Sequence, residues 1–179
     1  MISALRLGDI AREADGNLIG DDICVESIST DSRTIKPGDL FVALKGENFD
    51  GNQFVSAVAK AGAAAAIVNA RQAVQIPQIM VDDSLRALGV IARMNRRQFN
   101  GKVVALTGSA GKTTTKDMIA SVLSQTGSVL ATQGNLNNEI GVPLTLLSID
   151  AGYEYAVIEM GAAKPGDIAW LMQYVEPDV

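Results

Sequence analysis

Short apolar runs bounded by glycine, proline and aspartate recur through the first hundred residues. They predict four short strands, at 23–29, 40–44, 64–68 and 78–81. The segment 52–63 predicts a helix between the second and third strands. A longer helix is predicted over 82–99, because one of its faces carries four apolar side chains, Leu85, Leu88, Ile91 and Ala92. Together these elements predict a small α/β unit.

From residue 100 the pattern changes to a strand, a glycine-containing loop and a helix. The strand, 102–108, is largely apolar, which is typical of a parallel strand buried on both faces. The helix, 114–127, ends at Gly127, and its predicted apolar face carries Met118, Ile119, Val122 and Leu123. Two further strands are predicted at 128–132 and 153–160, a last helix at 166–175, and the start of a fourth strand at 176–179.

This alternation of strands and helices predicts a second α/β unit with a parallel sheet. We place the boundary near residue 100, which gives domains over 1–100 and 101–179. The second unit is short for a parallel sheet covered on both faces. We therefore expect it to be an incomplete portion of a larger domain.

Composition narrows the classes of function. The 179 residues carry a formal net charge of −5, which opposes binding to nucleic acid. Arg93, Arg96 and Arg97 are therefore interpreted as residues that interact with the negative end of their helix rather than as a patch that binds nucleic acid. Charged residues interrupt the first sixteen positions, and no apolar run approaches a membrane span; we expect a cytoplasmic protein without membrane insertion. Histidine is absent, which excludes triads and metal sites that need it. The single cysteine, Cys24, is predicted to be a buried strand thiol.

The sequence VVALTGSAGKTTTKD, 103–117, contains a GKT motif between a predicted strand and a predicted helix. Leu106 stands where a phosphate-binding loop ordinarily has its first glycine. Backbone N–H groups freed by Gly108 and Gly111, the helix N-terminus and the Lys112 ammonium are nevertheless suited to the phosphates of ATP. The predicted cofactor-binding residues are Gly108, Ser109, Ala110, Gly111, Lys112, Thr113 and Thr114.

A metal ion is expected beside these phosphates. Thr113 offers a hydroxyl, and Glu159 ends a neighbouring predicted strand, where ligand crevices of α/β sheets form. We predict that both residues hold Mg²⁺, and that Lys112 and Glu159 are catalytic. The alternative for Glu159 is a surface carboxylate at a strand end.

Three stretches, TGSAGKTTTKD, GNLNNEIGVPLTLL and YAVIEMGAAKPGDIAWL, closely resemble the central ATPase domain of the Mur ligases of peptidoglycan synthesis, whose loop has the same compact glycine spacing. STDSRTIKPGDLFVALKGENFDGNQF resembles the N-terminal domain of those family members that join D-Ala-D-Ala to UDP-N-acetylmuramoyl-tripeptide. The resemblance implies a three-domain enzyme. ATP would phosphorylate the substrate carboxylate, and the amine of D-Ala-D-Ala would attack the acyl phosphate.

The same resemblance implies further substrate-binding residues. Ser32, Arg33, Lys45 and Gly46 match segments that face the UDP end of the substrate. For DSR the alternative is a turn with a local pair between Asp31 and Arg33. Three asparagines lie between the loop and Glu159 and are candidates for substrate or nucleotide contacts, namely Asn135, Asn137 and Asn138. Capping of the following helix is their alternative role.

The sequence leaves other functions open. The chain could belong to another Mur-type ligase or a folylpolyglutamate ligase, or act as a non-catalytic module that binds a UDP-sugar-peptide. A plain nucleoside-triphosphatase or kinase is disfavoured by Leu106. We expect a monomer, and we expect the 179 residues alone to be inactive, since family residues for adenine and for the amine are not matched here.

Overall fold

The computed structural model describes residues 1–46 and 49–179, so Glu47 and Asn48 of the GENFDG stretch lie outside the described residues. It divides into two compact units. One contains Ala4–Val90, and the other contains Met1–Ser3 with Ile91–Val179. This division falls inside a helix, about ten residues before the domain boundary placed at residue 100, because the second half of that helix contacts the second unit. The functional division at residue 100 stays a prediction.

In chain order the elements up to residue 97 are β1 Leu5–Arg6, α1 Leu7–Glu13, β2 Asn17–Ile19, β3 Cys24–Val25, β4 Ile28–Ser29, β5 Leu40–Val42, a 3₁₀ turn Gly51–Phe54, α2 Val55–Lys60, β6 Ala65–Val68, β7 Gln78–Met80 and α3 Ser84–Arg97. The second half of α3 belongs to the second unit. The first unit is built around a five-stranded sheet of order β2-β7-β6-β5-β4, and it also contains a two-stranded β1-β3 ribbon. β7, β6, β5 and β4 run parallel, and β2 is antiparallel to β7.

The core of this unit lies between the middle of the sheet and α2. β5 and β6 are buried along their whole length, and Phe41, Val55 and Val58 pack in one cluster with Ala66 and Val68. The apolar runs that predicted these strands are therefore the runs that fill the core. Three short elements of the structure, β1, α1 and β2, had no counterpart among the elements predicted from sequence.

Cys24 is exposed, so the prediction of a buried thiol is wrong. It lies in a strand as expected, opposite Arg6 of β1. Successive residues of a strand point to opposite faces, and here Val25 takes the inward position. The predicted alternation of inward and outward side chains is therefore present, but it is displaced by one residue along the strand.

The second unit contains a three-stranded parallel sheet, as the alternation of strands and helices predicted. Its strand order is β8-β10-β9, with β10 in the centre. The elements are β8 Lys102–Leu106, α4 Lys112–Leu123, β9 Val129–Ala131, α5 Gly141–Leu147, β10 Tyr155–Glu159 and α6 Asp167–Val175. Asp178 N–H donates to Val103 O (2.8 Å) and Ala105 N–H to Val179 O (2.9 Å), so the last residues extend the sheet beyond β8.

The inward face of α4 differs from the predicted one. Met118 and Val122 are each 65% exposed, whereas Lys116 is buried and Ile119 and Leu123 are half-buried. Lys116, Ile119 and Leu123 are spaced by three and four residues, so they form one helical stripe. Met118 and Val122, which were predicted to lie inward, are therefore exposed, because Lys116 takes the inward position.

The arginines at the end of α3 make specific contacts in addition to facing a negative helix end. Arg96 donates to the carbonyl oxygens of Val175 (3.0 Å) and Glu176 (2.8 Å), and Arg97 pairs with Glu176 at 2.6 Å. They therefore hold the segment that leads from α6 to the edge of β8. The hydrogen bonds to Arg97 and the charges of the neighbouring arginines lower the pKa of Glu176.

Asn95 is a fully buried polar residue whose hydrogen bonds join three segments of the second unit. Its Nδ2 donates to the carbonyl oxygens of Leu146 (2.8 Å) and Ile149 (3.0 Å), and its Oδ1 accepts from Ile2 N–H (2.8 Å).

None of the helices among residues 1–46 and 49–179 is long and apolar enough to cross a membrane.

Replacement of Asn95 by leucine should destabilise the protein by about 3 kcal/mol. The change leaves the Ile2 amide and the Ile149 carbonyl without this partner, while Leu146 O keeps a hydrogen bond from Ile149 N–H at 3.2 Å. A buried unsatisfied group costs roughly 1–3 kcal/mol. Urea unfolding of the variant measures the loss. Asn100→Leu, at an exposed position, is the matched control and should change stability by about 0.5 kcal/mol or less. Equal midpoints for the two variants would contradict this assignment.

Candidate nucleotide-binding site

The loop between β8 and α4 presents backbone N–H groups at a helix N-terminus. Gly111 precedes α4 with φ 74° and ψ 2°, a left-handed conformation that favours glycine. Residues 108–111 are exposed, and α4 continues for twelve residues behind them. The Lys112 Nζ donates to Gly108 O at 2.8 Å, so the ammonium lies over the loop. An exposed loop of this form is suited to an anion.

Glu159 lies at the carboxyl end of the central strand, β10, and only 2% of its surface is exposed. Its Oε2 accepts from the Thr113 hydroxyl at 3.1 Å, and its Oε1 accepts from Asn137 Nδ2 at 2.8 Å. Its own N–H donates to Thr132 Oγ1 at 2.9 Å. The surface-carboxylate alternative for Glu159 is therefore wrong. The predicted pair, Thr113 and Glu159, is in direct contact.

These residues fit a magnesium ion bound together with phosphates. Burial of an unpaired carboxylate is costly, and the hydrogen bonds to Glu159 come from neutral groups. Mg²⁺ commonly binds to one or two protein oxygens and completes its shell with phosphate and water. Among residues 1–46 and 49–179 there is no group of three or more His, Cys, Asp or Glu side chains suited to a metal. A metal here would therefore need oxygen atoms from a bound phosphate.

The three asparagines of GNLNNEIG have different surroundings. Asn137 contacts Glu159, as described above, and its carbonyl accepts from Gly161 N–H at 2.7 Å. Asn138 Oδ1 accepts from the N–H groups of Ile140 (3.2 Å) and Gly141 (2.8 Å), so it satisfies donors at the start of α5, as the capping alternative holds. Asn135 is exposed.

The residues predicted to bind the UDP end lie in the first unit. Arg33 forms a two-pronged pair with Asp31, with Nη2 2.6 Å from Oδ2 and Nε 2.9 Å from Oδ1, and its side chain is 85% exposed. The local pair proposed as an alternative for DSR is thus present. Ser32 is half-buried in the same turn. Lys45 and Gly46 are exposed, and Gly46 N–H donates to Phe49 O at 2.8 Å.

Comparisons with known proteins agree with this arrangement. Residues 25–107 match the family model of the Mur ligase family catalytic domain, and residues 106–179 match that of the Mur ligase middle domain. The chain belongs to the Mur ligase family. Its α/β fold also matches structures of that family, which confirms the predicted fold class.

Several curated Mur ligases are similar over nearly the whole chain. The chain is 46% identical over 178 residues to the UDP-N-acetylmuramoyl-tripeptide--D-alanyl-D-alanine ligase of Escherichia coli (strain K12), covering 99% of this chain and 39% of the relative. It is 42% identical over 158 residues to the enzyme of the same name from Bacillus subtilis (strain 168), covering 86% and 34%. The chain thus spans about two fifths of the E. coli relative's length.

Solved Mur ligase structures have the same fold. The crystal structure of MurF from Acinetobacter baumannii superposes with a TM-score of 0.91 at 39% identity, covering 98% of this chain and 40% of that one. MurF from Thermotoga maritima in complex with ADP gives a TM-score of 0.79 at 39% identity, covering 85% and 36%. The second of these is a nucleotide complex.

Two residues beside this Mur ligase loop were not identified from sequence. Thr132 follows β9 and accepts from Glu159 N–H, while the buried Lys116 Nζ donates to Thr132 O at 2.9 Å. One signal was available, because Lys116 follows Thr113 by three residues and so shares its helical face. It was missed because the apolar residues later in the helix, Met118, Ile119, Val122 and Leu123, were assigned to the inward face.

Replacement of Arg33 by alanine should raise the pKa of Asp31. The Arg33 side-chain hydrogen bond, followed by its backbone N–H, lowers the pKa of Asp31 from 3.8 to about 2. Alanine keeps the backbone donor, so the pKa should rise without reaching its ordinary value. Because the pKa is lower in the folded state, the pair favours folding above the unfolded pKa, and this contribution is lost as the pH falls towards 2.

Carboxyl ¹³C NMR of Asp31 during an acid titration measures this pKa. Arg71→Ala, at an exposed arginine of the same unit, is the control and should leave the Asp31 titration unchanged. An identical Asp31 midpoint in wild type and Arg33→Ala would show that the pair does not form in solution.

Proposed function

We propose that these residues form the UDP-sugar-peptide-binding and phosphate-binding portions of an ATP-dependent ligase. The ligase joins D-Ala-D-Ala to UDP-N-acetylmuramoyl-tripeptide, a step of peptidoglycan precursor synthesis. The observation that carries the proposal is the contact of Thr113 with the buried Glu159 carboxylate beside an exposed glycine loop. The names of the similar proteins supply the substrates.

ATP is the proposed nucleotide. The N–H groups of residues 108–114 and the Lys112 ammonium bind its β- and γ-phosphates, and the ADP complex of the T. maritima relative supports a nucleotide in this family. Thr113 and Glu159 are the residues that would hold Mg²⁺, whose positive charge offsets the negative charge of the phosphates. To bind the phosphates, Lys112 would exchange its hydrogen bond to Gly108 O for phosphate oxygens.

The proposed reaction has two steps. The terminal carboxylate of the tripeptide attacks the γ-phosphorus of ATP, which forms an acyl phosphate and releases ADP. The amine of D-Ala-D-Ala then attacks the acyl carbon, the bond between this carbon and the phosphate oxygen breaks, and phosphate and a proton leave. Lys112 and the loop N–H groups stabilise the charge that develops in the first step, when two anions are brought together.

The first unit is proposed to bind the nucleotide-sugar end of the substrate. Arg33 and Lys45 are exposed cations suited to a diphosphate, and Ser32 and Gly46 lie beside them in sequence. Arg33 would exchange its carboxylate partner, Asp31, for the diphosphate. Asn135 and Asn137 are proposed to contact nucleotide or substrate. Asn138 is proposed to contribute indirectly, by fixing the position of the loop that carries all three asparagines.

Ligase activity is proposed for a protein that contains these residues rather than for the 179 residues alone. The similar enzymes are more than twice as long as the part that the chain matches. Lack of turnover by the isolated chain, a monomeric state and a cytoplasmic location stay predictions.

A hybrid enzyme tests the proposed reaction. Residues 1–179 replace the matching segment of the E. coli relative, and ADP formation is measured with UDP-N-acetylmuramoyl-tripeptide and D-Ala-D-Ala. The hybrid should turn over, and Lys112→Ala should lower kcat by about 10²-fold, the usual order for loss of a group that stabilises transition-state charge. Lys60→Ala, an exposed lysine at the end of α2, is the matched control and should retain full turnover.

The choice of acceptor distinguishes this ligase from its alternatives. Turnover with a free amino acid in place of D-Ala-D-Ala would favour another Mur-type or folylpolyglutamate ligase. A folded hybrid whose turnover does not depend on Lys112 would show that the loop is not the ATP site.

Calorimetric titration of the 179-residue protein with UDP-N-acetylmuramoyl-tripeptide tests the first unit. Saturable binding is expected, and Arg33→Ala should weaken it by about tenfold, because a charge-assisted hydrogen bond contributes roughly 1.5–3 kcal/mol and release of Asp31 offsets part of that gain. Arg71→Ala should bind as wild type does. Unaltered affinity of Arg33→Ala would remove Arg33 from the proposed diphosphate site, and titration with UDP alone shows how much of the affinity comes from the nucleotide.

A further inference from the structure

Lys116 is a buried cation in a helix that is otherwise largely exposed. Within α4, all of which the structure describes, it is the buried residue, and its side chain is 7% exposed. Removal of an ammonium group from water is costly, and an apolar side chain ordinarily takes an inward helical position. A lysine here therefore indicates a role that an apolar residue would not perform.

The contacts of Lys116 lead to the magnesium-binding pair. Its Nζ donates to Thr132 O at 2.9 Å and lies 3.1 Å from Asp117 Oδ1, whose side chain is 66% exposed. Because solvent screens that carboxylate, the buried hydrogen bond is the more specific contact. Thr132 in turn accepts from Glu159 N–H through its hydroxyl and donates its own N–H to Val157 O at 3.0 Å. Thr132 thus connects Lys116 to the strand residue that carries the carboxylate.

Two contacts fix the first turns of α4 on the sheet. Thr113 and Lys116 lie three residues apart on one helical face. Thr113 contacts the end of β10, and Lys116 contacts the residue that follows β9. The hydrogen-bond ladder between β9 and β10 sets the distance between these two anchor points. If the Lys116 contact is lost, the contact between Thr113 and Glu159 is the one of these two that remains to hold the first turns of α4 on the sheet.

We infer that Lys116 is a positioning residue for magnesium binding. It holds α4 so that the Thr113 hydroxyl stays against Glu159, and both oxygen atoms can then bind one ion together with the nucleotide phosphates. This inference rests on the proposed nucleotide-binding function, and it adds a residue that contacts neither phosphate nor metal. It also accounts for the inward lysine that displaced the predicted apolar face of α4.

The test separates metal-dependent from metal-independent nucleotide binding. The Kd of the hybrid enzyme for ADP is measured in excess Mg²⁺ and again in EDTA, and the ratio of the two values is the magnesium increment. Lys116→Met keeps the apolar stem and removes the ammonium; it should lower the increment by about tenfold, as loss of partners behind metal ligands commonly does. The Kd in EDTA should change by about twofold or less, since the loop N–H groups and Lys112 remain.

A second variant and a double mutant make the test specific. Thr132→Val removes the hydroxyl that accepts from Glu159 N–H and should also lower the increment. In a Thr113→Val background, where the metal-binding hydroxyl is already absent, Lys116→Met should have little further effect on the increment. Lys60→Met, in the other unit, should leave both Kd values unchanged. Urea unfolding shows whether each variant is folded. If Lys116→Met is not folded, the magnesium increment is measured with Lys116→Leu, which also lacks the ammonium group.

The outcomes distinguish this inference from the proposed function. An unchanged increment in folded Lys116→Met, with a clear increment in wild type, overturns the inference and leaves the nucleotide site intact. If Lys116→Met weakens ADP binding equally with and without Mg²⁺, the role of Lys116 is purely structural. This result would also overturn the inference. Absence of ADP binding by wild type contradicts the proposed phosphate site, and the inference fails with it.

Discussion

The candidate site depends on the burial of one carboxylate. Glu159 is nearly inaccessible to solvent, and its carboxylate accepts hydrogen bonds from Thr113 of α4 and Asn137 of the loop before α5. A buried carboxylate needs such partners, since an unpaired one costs several kcal/mol. The same requirement that favours these contacts in folding therefore brings two segments of the Mur ligase fold to one strand end, where the Glu159 backbone N–H also donates to Thr132.

Close backbone approach is the second constraint on this site. A Cβ atom at position 141 would collide with the backbone of Leu136, and one at position 161 would lie 3.0 Å from Asn137 Oδ1. Glycine at both positions allows the loop that carries Asn137 to lie against the end of β10. Gly141 of GNLNNEIG and Gly161 of EMGAA thus act through packing, and they fix the amide that contacts Glu159.

The sequence predicted most of the fold because its strands are apolar runs with clear breakers. β5, β6, β8 and β10 coincide with such runs, and the strand-loop-helix order located both the loop and the pair of Thr113 and Glu159. The sequence did not show whether Cys24 points inward or which face of α4 lies against the sheet, since the side that faces the core is decided by tertiary contacts. Very short elements such as the three-residue β2, and buried polar residues such as Asn95, depend on partners distant in sequence and so left no local signal.

Lys116 shows why the inward face of α4 could not be identified from hydrophobicity. The sequence offers Met118 and Val122 as apolar residues, yet both are exposed while a charged residue lies inward. Within the described residues this arrangement exposes two apolar side chains and buries an ammonium group, which is opposite to the usual pattern, and departures of this kind concentrate at functional sites. The place where the helix pattern fails is also the place where α4 carries a residue of the proposed metal site. The failure of the hydrophobic pattern is therefore itself evidence that the position of α4 on the sheet matters more to this protein than the burial of Met118 and Val122.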